Sequence, residues 1–178
     1  SSLIFNSLTI LAAKFDRLEW KDSAAKYYSA ADKYANVFQK LTYPMSLVGN
    51  DRKYEKTARP LLAERLNLFK ERLPSAMWPL ADALQSIFNG VCAADTVALI
   101  AAYRDLLKAQ NQPNTGNNLE FGMLLANRGE FAEAKSQLGM LAEGPLRSTS
   151  GNNYPLIVYY LGVSEEGLGN RQRAIEYY

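Results

Sequence analysis

Histidine is absent from this 178-residue chain, and cysteine occurs once, at Cys92. The missing imidazole excludes histidine-based catalytic triads and metal centres that depend on histidine ligands. A single thiol excludes an intrachain disulfide and zinc sites made from CxxC pairs. The compartment stays open, because a reducing cytosol and a bacterial periplasm both permit one free cysteine.

Long apolar runs and an excess of one charge sign are also lacking. Stretches such as TVALIAAY are far shorter than the roughly 20 residues of a membrane span, so no transmembrane helix is predicted. Twenty basic residues against eighteen acidic residues give a formal net charge of +2, which does not indicate nucleic-acid binding. The glycine-rich motifs GxxxxGK[ST] and GxGxxG do not occur, and no cofactor is expected.

Helical periodicity is the main feature that the chain does have. Its 48% hydrophobic and 21% charged residues are typical of a soluble globular protein. Sustained period-two alternation is hard to find, whereas apolar residues recur at helical spacing. The fold class is therefore predicted to be all-α, made of antiparallel helical hairpins. The apolar stripes contain Ala24, Tyr28, Ala31, Ala35 and Phe38; Leu61, Leu62, Leu66, Phe69 and Leu73; Leu80, Leu84, Ile87 and Phe88; and Leu99, Ile100, Tyr103, Leu106 and Leu107.

Capping and breaking residues predict where these helices begin and end. Asp22 or Ser23 suits the start of the first stripe, because a short polar side chain can accept a hydrogen bond from a free backbone N–H. Pro60 and Pro79 are predicted to open helices, and Gly90 to end one. Asp95 is predicted to begin the helix of DTVALIAAYRDLLKAQ.

One hairpin pattern recurs forty residues along the chain. LEFGMLLANRGEFAEAKSQLGMLAEGP is followed by YYLGVSEEGLGNRQRAIEYY, with glycine, glycine and alanine at matching places. The first glycine of each copy would let two helices approach closely, and the second would permit a tight turn. A large residue in each copy would fill the space beside the small residues. The matched pairs are Gly122 and Gly162, Gly129 and Gly169, Ala134 and Ala174, and Leu138 and Tyr178.

The two segments resemble tetratricopeptide repeats, the helix-turn-helix units that stack into a right-handed α-solenoid. The resemblance assigns residues 115–178 to a repeat pair with a truncated last repeat, and residues 1–114 to N-terminal helical hairpins. A degenerate copy is predicted at 5–40, with Glu19 where the turn glycine should be. The second clear copy departs from the first at Glu165 and Arg171. An irregular helical bundle is the alternative fold.

The resemblance implies a non-enzymatic domain that binds a protein or peptide on a concave surface formed by the first helix of each unit. The inward-facing positions of that first helix are mostly apolar. This favours an apolar or extended peptide, or a neighbouring helix, as the bound partner over a peptide held by its terminal carboxylate. A helical regulatory domain of a larger enzyme or sensor, and a self-association module that forms a homo-oligomer, are the alternatives. The candidate binding residues are Leu119, Met123, Ala126, Asn127, Tyr159, Val163 and Glu166.

Reactive side chains have structural interpretations. SAAK at 23–26 and SGN at 150–152 match two elements of serine acyltransferases, but the third element, KTG on a strand, is missing. Ser23 is interpreted as a helix cap, and Cys92 as a small filler. Four carboxylates are interpreted as surface charge: Glu130, Glu133, Glu165 and Glu166.

Both ends of the sequence indicate a longer protein. SSLIFNSLTILAAKF reads as the first helix of a chain cut from something larger. NRQRAIEYY leaves Ile175, Tyr177 and Tyr178 without a covering neighbour. Because solenoid units need a neighbour over their apolar face, a further helical unit or a second copy of the chain is expected there.

Overall fold

A computed structural model describes residues 7–9, 11–12, 14–15, 18, 20–34, 40–41, 44–45, 47–48, 52–72, 74–110, 114–144 and 146–178. All regular secondary structure within these ranges is helical, which confirms the all-α prediction. In the same residues, no helix combines the length and apolar character that crossing a membrane needs. The α-helices are α1 Lys21–Tyr34, α2 Glu55–Arg72, α3 Trp78–Ala93, α4 Thr96–Ala109, α5 Thr115–Arg128, α6 Phe131–Ala142, α7 Tyr154–Gly167 and α8 Arg171–Tyr177, with 3₁₀ turns at Arg52–Tyr54, Ser75–Met77, Arg147–Thr149 and Gly151–Asn153.

The chain forms two compact units, Ser1–Ala94 and Asp95–Tyr178. In the first unit α2 and α3 lie antiparallel: the Arg59 guanidinium lies 5.3 Å from the Phe88 ring centroid, and Lys70 pairs with Asp82 at 2.5 Å. The second unit contains α4 to α8, whereas the sequence pattern predicts α4 among the N-terminal hairpins of residues 1–114. The buried side chains of the first unit include Ala24, Tyr28, Ala31, Leu62, Leu66, Phe69, Leu84, Ile87 and Phe88.

Some expectations fall on residues that the structure leaves undescribed. Ala35, Phe38, Leu73 and about a third of the degenerate repeat at 5–40, including Glu19, lie outside the described ranges.

Two predicted helix starts are wrong. Helix α1 begins at Lys21, so Asp22 and Ser23 lie in its first turn and do not precede it. Pro60 lies inside α2, because the helix begins at Glu55. A proline there removes one backbone donor, and the helix continues through it with four buried side chains on one face.

Helix α3 also ends later than predicted. It continues past Gly90 to Ala93 and is terminated by Ala94, whose φ of 53° is left-handed. The next two signals are confirmed: Pro79 lies in the first turn of α3, and Asp95 Oδ1 accepts a 3.0 Å hydrogen bond from the Ala98 N–H at the start of α4.

The second unit contains the two predicted hairpins, α5 with α6 and α7 with α8. Their turns are the same. Gly129 and Gly169 have φ values of 85° and 81°, which only glycine adopts without strain. In both turns the residue after the glycine donates to a carbonyl five residues back: Glu130 N to Leu125 O at 3.0 Å, and Asn170 N to Glu165 O at 2.8 Å. This hydrogen bond completes a Schellman motif at the end of each first helix.

The close approach of the helices is also the same in both hairpins. A Cβ atom added at Gly122 would lie 2.6 Å from Leu138 Cγ, and one added at Gly162 would lie 2.5 Å from Tyr178 Cε1. The expected close contacts at these glycines are therefore present. Ala134 and Ala174, at 0% and 2% exposure, occupy the helix crossings as predicted.

Helices α6 and α7 join the hairpins in antiparallel orientation. The start of α6 meets the end of α7, where the Phe131 ring fills the space beside Gly167. Farther along, a buried apolar cluster closes the interface, with residues Leu119, Leu138, Leu141, Ala142, Ile157 and Leu161.

Candidate partner-binding surface

The candidate binding positions on α5 are mostly inside the protein. Leu119 and Ala126 are 6% and 4% exposed, and Leu119 belongs to the apolar cluster between the hairpins. Met123 is half-buried and packs against the same cluster. Asn127 is exposed. Of these four side chains, only Asn127 is fully open to a partner.

The candidate positions on α7 are more accessible. Tyr159 is 53% exposed, Glu166 is exposed and Val163 is half-buried. The sequence-derived surface is therefore divided: its α5 part mainly stabilises the fold, and its α7 part faces solvent.

Tyr159, Glu166 and Tyr178 form one contiguous group, which we call the tyrosine patch. The Tyr159 and Tyr178 ring centroids are 6.1 Å apart, and the Tyr178 hydroxyl donates to Glu166 Oε2 at 3.0 Å. Tyr160 supports Tyr159 from the side in an edge-on contact at 5.2 Å. Desolvation and the hydrogen bond to Glu166 raise the pKa of Tyr178 above its ordinary value.

Glu165 is buried, so the interpretation of this carboxylate as a surface charge is wrong. It is 1% exposed and accepts hydrogen bonds from Lys135 Nζ at 2.8 Å and Asn170 Nδ2 at 2.7 Å. The hydrogen bond from Lys135 lowers its pKa below the ordinary value. Since Lys135 lies on α6 and Glu165 on α7, this ion pair links the two hairpins.

Glu130 and Glu133 also have partners and are not free surface charges. Both accept hydrogen bonds from Arg104 Nη2 on α4, at 2.7 Å and 2.5 Å. These contacts raise the pKa of Arg104 and connect α4 to the start of α6. Beside them lies a shallow depression of about 380 Å³, lined by Gly129, Glu130, Phe131, Ala132, Glu133 and Leu168.

The outward side of α8 is the most exposed apolar surface of this unit. Ile175 and Tyr178 are 65% and 61% exposed, and Arg171 is exposed beside them. Tyr177 is less exposed than expected for this segment: it is half-buried, and its hydroxyl donates to Oε1 of Glu143, the residue that follows α6, at 2.7 Å. We call Arg171, Ile175 and Tyr178 the α8 stripe.

Reactive groups elsewhere are explained by packing. Burial raises the pKa of the half-buried Cys92 thiol, which makes it a poor nucleophile. Ser150 is 1% exposed, and its hydroxyl lies 2.6 Å from Leu141 O and 3.0 Å from Leu146 O. Ser23 and Lys26 lie within α1. In the part of the chain that the structure describes, no cluster of acidic residues and cysteine could hold a metal ion.

Sequence reasoning missed three residues that join the elements: Arg104, Glu165 and Gly167. Gly167 could have been noticed as an extra glycine in EEGLGN, but its role depends on the Phe131 ring from another helix. The other two carry no local signal, because a charged helical residue is usually solvated.

Comparisons with known proteins identify no relative. No protein-family model matches the chain, and neither the curated proteins nor the solved structures contain a significant match.

Proposed function

We propose that this chain is a non-enzymatic helical-repeat domain of tetratricopeptide type that binds a partner protein through the tyrosine patch. The observation that carries the proposal is the pair of exposed, mutually supported tyrosine rings on a scaffold of repeated hairpins. Tyrosine is enriched at the energetic centres of interfaces, because its ring supplies apolar contact area and its hydroxyl supplies a hydrogen bond.

The chemistry of the patch defines the partner segment. Two rings and the half-buried Val163 on the same face of α7 provide apolar contact, while Glu166 offers a carboxylate. The two rings restrain each other, so little side-chain entropy is lost on binding. A segment with an apolar or aromatic residue and a nearby hydrogen-bond donor would fit this surface.

Affinity capture from the native source tests the proposal, with wild-type protein, Tyr159→Ser and the matched control Val97→Ser as baits. Val97 is 60% exposed on α4, so its loss removes a similar exposed apolar group outside the patch. We expect Tyr159→Ser to weaken partner binding at least about tenfold, and Val97→Ser to leave it unchanged. Equal retention by the two variants, at equal melting temperature, would contradict the proposal.

A reactive-probe experiment tests the non-enzymatic part. Ser23 is half-buried in the first turn of α1. We expect no labelling of the folded protein by a fluorophosphonate or a β-lactam. Stoichiometric acylation of Ser23 would show a catalytic nucleophile and overturn this part.

A further inference from the structure

No further inference is drawn: the strongest candidate, the exposed surface of the α8 stripe on the outward side of the second hairpin, is an open helix face, and nothing in the structure shows what covers it.

Discussion

The hairpins α5–α6 and α7–α8 share their backbone geometry but differ in what surrounds them. Their turn glycines, their Schellman hydrogen bonds and their glycine contacts agree closely. Their closing residues do not: Leu138 is completely buried, whereas Tyr178 is 61% exposed. A few small residues therefore define the hairpin, and the remaining positions depend on the neighbour that each hairpin meets.

The largest expected difference between the hairpins concerns their first glycines. Gly122→Leu should destabilise the protein by about 3 kcal/mol, because Leu138 is enclosed and cannot move away. Gly162→Leu should cost about 1 kcal/mol, since the exposed Tyr178 ring can swing outward. Urea denaturation measures both values. Equal losses would show that the two closing contacts are equally confined.

Glu165 provides the next test, because the equivalent residue in the first hairpin is the buried Leu125. Glu165→Ala should cost about 2 kcal/mol, since it leaves a cavity and removes the acceptor of Lys135 and Asn170. Glu165→Leu should be close to neutral, because an apolar side chain of similar volume often replaces a buried ion pair without loss. If the leucine variant is the less stable one, the hairpins are not interchangeable here.

The contribution of Glu165 should also depend on pH. Its pKa is lower in the folded protein than in the unfolded chain, chiefly because Lys135 donates a hydrogen bond to it. The resulting stabilisation is present above the unfolded-state pKa of about 4.3 and is lost as the pH falls through the folded-state pKa. The stability difference between wild type and Glu165→Gln should therefore shrink between neutral pH and about pH 3. A constant difference would contradict the ion pair.

The turn glycines should behave alike. Gly129→Ala and Gly169→Ala each force an alanine into a left-handed conformation, at a cost of about 1 kcal/mol. An alanine Cβ atom would meet nothing closer than 3.9 Å at Gly129 and nothing within 4 Å at Gly169. Thermal melts of the two variants should agree within about 0.5 kcal/mol. A clear inequality would show that the turns are not equivalent.

The smallest effect is expected at Arg104. Its contacts to Glu130 and Glu133 are partly solvated, so Arg104→Gln should cost less than about 1 kcal/mol. The loss should decrease further in high salt, since the charges are accessible to counterions. Denaturation at low and high salt checks this, and a salt-independent loss would point to packing as the main role of Arg104.

The sequence predicted those features that depend on a single helix or turn. The helical periodicity, the hairpin limits and the turns at Gly129 and Gly169 follow from local spacing and backbone freedom. The close contacts at Gly122 and Gly162 were also predictable, because both helices of a hairpin are near in sequence. The tetratricopeptide architecture stays a proposal.

Features that depend on a second element could not be predicted. Glu165 is buried because Lys135 reaches it from another helix, and Ala94 accepts a left-handed turn that its side chain does not favour. Leu119 and Ala126 were assigned to a binding face, but the same apolar pattern also fits a face packed on the next hairpin. Periodicity identifies an apolar face and does not say what covers it.

The central claim is that one repeated hairpin has a closed outer face in its first copy and an open one in its second. Solvent paramagnetic relaxation in NMR tests this directly, because a soluble nitroxide broadens only accessible side chains. We predict strong broadening of the Ile175 methyl groups and the Tyr178 ring, and none of the Leu138 methyl groups. Protection of Ile175 and Tyr178 equal to that of Leu138, in a dilute sample, would contradict the account.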